Sequence, residues 1–203
     1  MTTAAHDQRS AAVLVVDNYD SFTYNLVHEI ERYGVHADVV RNDAFDVAAV
    51  AKAPPVAIVF SPGPGTPERA GNSVALVAAL RESTPMLGVC LGHQAIGAAY
   101  GAHVAHAREV VHGRATSAQH SGHALFEGIP RRFAAGRYHS LCVDPQTLPP
   151  QLEAIALSDD GTLMALADRN APVFGVQFHP ESVLTKHGPR LLANFLTIAG
   201  IRL

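Results

Sequence analysis

The first hundred residues alternate between short apolar runs and longer stretches in which apolar residues recur every three or four positions. The apolar runs are rich in β-branched residues and predict strands buried on both faces. These are Ala12–Asp17, Ala37–Val40, Ala57–Phe60 and Met86–Val89. The longer stretches predict helices at Ser21–Tyr33, Asn72–Arg81 and Leu91–Tyr100. Strands that alternate with helices predict right-handed crossovers and a parallel sheet.

The second half of the chain has a different pattern, in which short apolar runs follow one another with turn residues between them. The predicted strands are Val104–Ala107, Leu152–Leu157, Thr162–Ala167 and Val173–Phe178, and a helix at Pro189–Ala199 closes the chain. The fold class is therefore α/β, with a mainly parallel central sheet flanked by helices and an added antiparallel portion. We expect one domain over residues 1–203, with residues 1–11 as a flexible N-terminal extension.

Composition and charge narrow the possible partners. The chain is 48% hydrophobic and 16% charged, so it can bury a sizeable core. The net charge is −3 and the chain has no block of Lys or Arg, so the sequence does not indicate a surface that binds nucleic acid. The apolar runs are too short to span a membrane, and the N-terminus has no signal-peptide layout. With only two cysteines, a reduced cytoplasmic protein is the expectation.

The sharpest chemical signal is Gly88-Val89-Cys90-Leu91-Gly92, at the end of a predicted strand and the start of a helix. It has the form of the Gly-x-nucleophile-x-Gly elbow, with Cys as the nucleophile. A helix N-terminus favours a thiolate, and the Leu91 N–H would point to a developing oxyanion. A buried structural cysteine between two packing glycines is the alternative.

A thiolate needs a base, and the base needs an orienting partner. His179 and Glu181 follow a predicted strand and share a face in extended chain, while Pro180 restricts the backbone between them. An exposed His-Pro-Glu without a role is the alternative, because the chain has twelve histidines. His93 lies nearer to Cys90 in sequence and is a competing base.

The remaining candidates would form the walls of a small-substrate site. The stiff loop Ser61–Pro67 (SPGPGTP) follows a strand, and the N–H of Gly63 is a candidate second oxyanion donor. Gln94 lies one helical turn beyond Cys90 and faces the same way. Ser140, in a segment that we place between strands, could hold a polar group of the substrate. A rigid turn and exposed polar residues are the alternatives.

Together these segments resemble the triad-type glutamine amidotransferases, most closely the glutaminase subunits of anthranilate synthase and aminodeoxychorismate synthase. The similar segments occur in the family's order and span nearly the whole chain. They are DNYDSFT from Asp17, SPGPGTP from Ser61, GVCLGHQAIG from Gly88, His112-Gly113, RYHSL from Arg137 and GVQFHPES from Gly175.

The resemblance implies a flavodoxin-like fold and a Cys90–His179–Glu181 triad. It implies glutamine contacts from Gly63, Pro64, Gly65, Leu91, Gln94, Ser140 and Leu141. It also implies a partner on a separate chain, the chorismate-binding synthase subunit, in tryptophan or folate biosynthesis, and no metal or organic cofactor for the glutaminase half reaction. One departure is Arg114, where the family usually has Lys after His-Gly, near the subunit contact.

Other interpretations of the same residues remain open. A cysteine peptidase or γ-glutamyl hydrolase could share the elbow and the fold but would act alone. A non-catalytic binding subunit is a further alternative, although such subunits usually lack a triad member. Cys142 lacks flanking glycines and is interpreted as a structural core thiol. The scattered histidines do not predict a metal site.

Overall fold

A computed structural model describes residues 12–203, except for the side chain of Arg108, and its strands form one mixed sheet. The expectation for residues 1–11 lies outside this range. Over the described residues the strands are β1 Val13–Asp17, β2 Ala37–Arg41, β3 Ala57–Phe60, β4 Met86–Val89, β5 Val104–His120, β6 Arg132–Val143, β7 Leu152–Ser158, β8 Leu163–Asp168 and β9 Val173–Val176. The helices are α1 Thr23–Glu31, α2 Val47–Lys52, α3 Ser73–Leu80, α4 Leu91–Ala99 and α5 Gly188–Ile198. The strand order is β2-β1-β3-β4-β9-β8-β7-β5-β6.

The parallel half of the sheet comprises β2, β1, β3, β4 and β9. Its central strands are fully buried, as their uninterrupted apolar sequences predict. The pairing of β4 with β9 matters most, since Val89 lies opposite Val176. The segments that follow these two strands, which begin at Cys90 and Gln177, therefore start side by side at one edge of the sheet.

The antiparallel half comprises β8, β7, β5 and β6, and here the sequence prediction was partly wrong. The strand predicted at Val104–Ala107 continues to His120, and β6 was not predicted. Ser140 therefore lies within a strand and not between strands. The long pair has two register shifts, which interrupt the strict alternation that a sequence pattern needs.

Helices cover both faces of the sheet. Residues from α1 and α5, such as Leu26 and Phe195, pack in one core cluster with Val13 and Val15 of β1. Residues from α3 and α4 pack in a second cluster with Val16 of β1. This division follows from the alternation of side chains along a strand. No helix within residues 12–203 is long and apolar enough to cross a membrane.

Candidate active site

Cys90 lies on the turn between β4 and α4 in a strained backbone conformation. Its φ of 52° and ψ of −102° are uncommon for a residue with a side chain. The turn is held because the Cys90 N–H donates to Val176 O (2.9 Å) and its carbonyl accepts the first bond of α4 from Gln94 N (3.1 Å). A Cβ on Gly92 would lie 2.5 Å from the carbonyl oxygen of Phe60, so α4 can approach β3 only with glycine there. The thiol therefore lies at the N-terminus of α4, where helix dipoles favour negative charge.

His179 lies beside this turn, and its ring is oriented by a buried carboxylate. The Nδ1 atom is 2.6 Å from Glu181 Oε1, and both side chains are buried. Burial lowers the pKa of His179, but interactions with Cys90 and Glu181 more than offset this and raise it to about 10. Because Glu181 occupies Nδ1, Nε2 is the nitrogen left to exchange a proton with Cys90. The rings of Tyr138 and Phe22 pack on the imidazole, with centroids 4.9 and 5.7 Å away.

The competing base His93 is in a different environment. It is fully buried, and a Cβ on Gly175 would lie 2.7 Å from its Nδ1, so the ring fills space against β9. Burial lowers the pKa of His93 to about 3, which keeps the ring neutral. These contacts fit a packing role.

A buried polar network positions the loop that follows β3. The Asn18 N–H donates to Ser61 Oγ (2.8 Å), and Asn18 Nδ2 donates to the Ser61 carbonyl (2.7 Å). Asn18 Oδ1 accepts from Asn42 Nδ2 and Ser73 Oγ, each at 3.0 Å. Gly63 lies against Asn18, because a Cβ there would be 2.5 Å from the Asn18 carbonyl oxygen. The backbone N–H and the amide nitrogen of Asn18 therefore hold the start of this loop at Ser61, and its amide oxygen fixes Asn18 to Asn42 and Ser73, a role that the sequence did not indicate.

One pocket contains Cys90 and most of the predicted substrate contacts. It is lined by Gly63, Pro64, Gly65, Cys90, Gln94, Tyr138, His139, Ser140 and Leu141. Leu91 is buried and does not line it, although its N–H follows Cys90 directly. His179 and Glu181 lie behind the lining and not in it. Tyr138 and His139 were not predicted as pocket residues.

The amide of Gln94 is held by two acceptors. Its Nε2 donates to the Leu141 carbonyl (3.1 Å) and to Gln177 Oε1 (3.1 Å). Both amide hydrogens are therefore used, and the carbonyl oxygen Oε1 is the polar atom that Gln94 can offer to the pocket. Gln177 in turn lies 3.6 Å from Cys90 Sγ through its Nε2.

His139 is held neutral in the wall of the same pocket. Its Nε2 accepts from Arg137 Nε (2.9 Å), and its Nδ1 lies 2.9 Å from the Leu141 carbonyl. Burial and the nearby Arg137 charge lower the pKa of His139 to about 4. Arg137 is itself buried, and its guanidinium lies 3.6 Å from Asp160. A lone histidine and arginine in a polar sequence segment gave no signal for this arrangement.

Among residues 12–203, no group of three or more His, Cys, Asp or Glu side chains is arranged to hold a metal ion. Cys90 and Cys142 are both reduced and buried, and Cys142 lies in β6. The groups that the structure brings together at Cys90 are a thiol, an imidazole and a carboxylate.

A cysteine on a strand-to-helix turn, next to a histidine that a carboxylate orients, is the arrangement of enzymes that transfer acyl groups through a covalent intermediate. The profile of the family described as glutamine amidotransferase class-I matches residues 14–199. The chain belongs to this family.

The names of two relatives agree with this assignment, and a solved structure shares the fold. Anthranilate synthase component 2 of Mycobacterium tuberculosis (strain H37Rv) is 50% identical over 192 residues, which cover 93% of this chain and 82% of that protein. Aminodeoxychorismate synthase component 2 of Klebsiella aerogenes is 45% identical over 184 residues, which cover 91% of this chain and 98% of that protein. A crystal structure from Thermoplasma acidophilum, described as that of a GMP synthase component, superposes with a TM-score of 0.84, covers 94% of each chain and is 24% identical. That structure shows the same fold.

Proposed function

We propose that this chain is the glutaminase subunit of a chorismate-using synthase, and that it hydrolyses L-glutamine to glutamate and ammonia with Cys90 as nucleophile. The observation that carries the proposal is that Cys90 opens into a pocket and lies beside the His179–Glu181 pair. The family assignment and the names of the relatives favour this function over a free-standing cysteine peptidase or γ-glutamyl hydrolase.

The first half of the reaction is attack of the Cys90 thiolate on the side-chain carboxamide carbon of glutamine. The oxyanion that forms is stabilised by the N–H groups of Leu91 and Gly63, which need no reorganisation because the elbow and the Asn18 network hold them. His179 carries the proton from the thiol and gives it to the departing ammonia. The products of this half are ammonia and a γ-glutamyl thioester on Cys90.

The second half is hydrolysis of this thioester. His179, now neutral, removes a proton from water, which attacks the thioester carbonyl. The same two N–H groups stabilise the second oxyanion, and glutamate leaves as the thiolate and the imidazolium re-form. Glu181 keeps the proton on Nδ1 throughout and thus orients Nε2 toward sulfur and water. The chain uses no metal or organic cofactor for these steps.

The pocket residues would distinguish glutamine from other amides. Gln94 offers a carbonyl oxygen, which suits the α-ammonium of glutamine, since both of its amide hydrogens are already used. Ser140 is exposed at the pocket and can donate to the α-carboxylate. The backbones of Gly63, Gly65 and Leu141 complete the wall.

The partner would be a separate chorismate-binding subunit that receives the ammonia. The relatives named above are components of anthranilate synthase and of aminodeoxychorismate synthase, so both products are candidates. We expect slow glutamine hydrolysis by the isolated chain and faster hydrolysis in the complex. The loop Ser61–Pro67 and the segment Val111–Ser117 of β5 are the proposed coupling elements, and Arg114 in this segment pairs with Glu109 on the surface.

The test of the proposal is to trap the thioester. The chain is mixed with glutamine, quenched in acid, and the Cys90 peptide is analysed by mass spectrometry. The expected result is a γ-glutamyl adduct on Cys90 that does not form in Cys90→Ser and accumulates when water attack is slowed. An adduct on Cys142, or none under turnover conditions, would contradict the proposal.

A further inference from the structure

Gln177 lies beside the sulfur of Cys90, and the mechanism above does not use it. It is fully buried directly after β9, where its N–H donates to the Met164 carbonyl of β8 (2.9 Å). Two residues later the chain reaches His179. A buried amide beside a reacting sulfur is costly unless its polar atoms are paired. The partners of the Gln177 amide oxygen and amide nitrogen therefore indicate the role of this side chain.

The direction of the Gln177 amide follows from a backbone carbonyl. The Leu141 carbonyl can only accept hydrogen bonds, so the Gln94 atom 3.1 Å from it must be the donor Nε2. That same Nε2 is 3.1 Å from Gln177, so the Gln177 atom facing it must be the acceptor Oε1. The other end of the Gln177 amide, Nε2, is thus the atom that faces Cys90 Sγ at 3.6 Å. We call Gln94 and Gln177 the amide relay.

The hydrogen bonds of His139, which shares the Leu141 carbonyl with Gln94, have directions that follow in the same way. Arginine has only donors, so the Nε2 atom of His139 that accepts from Arg137 Nε carries no proton. The proton of the neutral His139 ring is therefore on Nδ1, which donates to the Leu141 carbonyl. This carbonyl accepts from His139 and Gln94 together, which uses both of its lone pairs. The hydrogen bonds therefore form one chain from the Arg137 guanidinium to the Cys90 sulfur, and each bond in this chain has one allowed direction.

We propose that Gln177 is a further catalytic residue, which donates an N–H to the Cys90 thiolate and stabilises it, and that the amide relay fixes this donor orientation. The proposal rests on the proposed function. Unlike His179, an amide donates without transferring its proton, so it stabilises sulfur charge before attack on glutamine. It acts again when the thioester breaks and the negative charge returns to sulfur.

The test is the pH dependence of thiol alkylation, which needs neither glutamine nor a partner. The isolated chain is reacted with iodoacetamide over a pH series, and Cys90→Ser measures the background from Cys142. In Gln177→Met, which keeps the length of the side chain but has no N–H, we expect the midpoint of the pH–rate profile to rise by about one pH unit. That shift leaves about tenfold less thiolate at a fixed pH below the midpoint. Gln177→Glu replaces the donor with an acceptor and should move the midpoint at least as far.

A matched control separates this effect from a loss of stability. Asn194 Nδ2 donates to the carbonyls of Leu125 (3.0 Å) and Glu127 (2.9 Å), outside the pocket of Cys90. Asn194→Leu removes two hydrogen bonds and should lower the free energy of unfolding without moving the alkylation midpoint. If Gln177→Met does not fold, Gln94→Met serves in its place, because it releases the Gln177 amide to rotate, and its midpoint should rise by less.

The outcomes distinguish this inference from the proposed function. A midpoint that coincides with wild type in Gln177→Met, or in Gln94→Met where Gln177→Met does not fold, would overturn the role of Gln177, even if the chain hydrolyses glutamine. A raised midpoint in a chain that does not hydrolyse glutamine would support the thiolate donor and contradict the proposed function.

Discussion

Gly63→Ala is the substitution for which the structure gives the clearest expectation. A Cβ at this position would lie 2.5 Å from the Asn18 carbonyl oxygen, 2.6 Å from Asn18 Cβ and 2.9 Å from Leu91 Cδ2. Asn18 is anchored by four hydrogen bonds, so the loop that carries Gly63 must shift instead. Loss of one oxyanion donor costs about 10²–10³-fold in kcat, or about 2.7–4 kcal/mol. We expect a loss of this size, mainly in kcat and not in KM, because the bond strengthens in the transition state.

The assay compares Gly63→Ala with Gly65→Ala in steady-state glutamine hydrolysis. Gly65 lines the same pocket, but its φ is +86° and a Cβ there would meet nothing within 4 Å. Gly65→Ala should therefore cost about 1–2 kcal/mol of backbone strain without displacing the Gly63 N–H. Thermal unfolding of both variants measures the change in stability. Equal losses of kcat in the two variants, or an unchanged kcat in Gly63→Ala, would refute the assignment of Gly63 as an oxyanion donor.

Three further predictions concern the base, the buried histidines and the loop network. His179→Ala should abolish acylation, whereas Glu181→Gln should keep some ammonia release, with a loss of up to about 10⁴-fold. If His93→Ala lost more activity than His179→Ala at equal folded yield, the base would be misassigned. In the folded chain the pKa values of His93 and His139 lie below the value of about 6.5 in the unfolded chain, so the unfolded state binds more protons at acidic pH. The free energy of unfolding should therefore fall as the pH drops from about 6.5 toward 4. Urea unfolding midpoints that stay constant over this range would contradict this expectation. Asn18→Leu leaves the buried partners of Asn18 unpaired, which costs about 1–3 kcal/mol for each partner. It should lower both the free energy of unfolding and the rate of glutamine turnover. If both stay unchanged, Asn18 does not position the loop.

The parallel half of the fold and the strand-to-helix turn at Cys90 could be predicted from the sequence, because their signals are local. A strand buried on both faces is a continuous apolar run, as in β3 and β4, and its bounds follow from composition. The elbow around Cys90 requires glycines at fixed positions, so its pattern is visible without the fold. The His179–Glu181 pair was found because two residues of extended chain place both side chains on one face.

The antiparallel half could not be predicted in the same way. Much of β5 is exposed and carries histidine, arginine and glutamate, β6 buries Arg137 and His139, and register shifts break the alternation. The short helix α2 has six residues, of which Val47 and Val50 are only partly buried, so it is too short to show a helical period in the sequence. In both cases the structure depends on pairing with distant segments, which a local pattern does not record.

The polar residues that support the site were also missed. Asn18, Arg137 and Gln177 are buried, whereas residues of these types are exposed in most proteins. Their burial is tolerable only because each finds partners far away in sequence, as Gln177 does with Gln94 and Cys90. The candidate reacting groups are visible in the sequence, whereas the residues that hold them become visible only in the structure.

We propose above all that Cys90 releases ammonia from glutamine and that a chorismate-using partner consumes this ammonia. The most direct measurement compares amination of chorismate by the complex with glutamine and with an ammonium salt as nitrogen source, for wild type and Cys90→Ser. We expect Cys90→Ser to abolish the glutamine-dependent reaction and to leave the ammonia-dependent reaction close to wild type. Retained glutamine-dependent amination by a clean Cys90→Ser complex would contradict it.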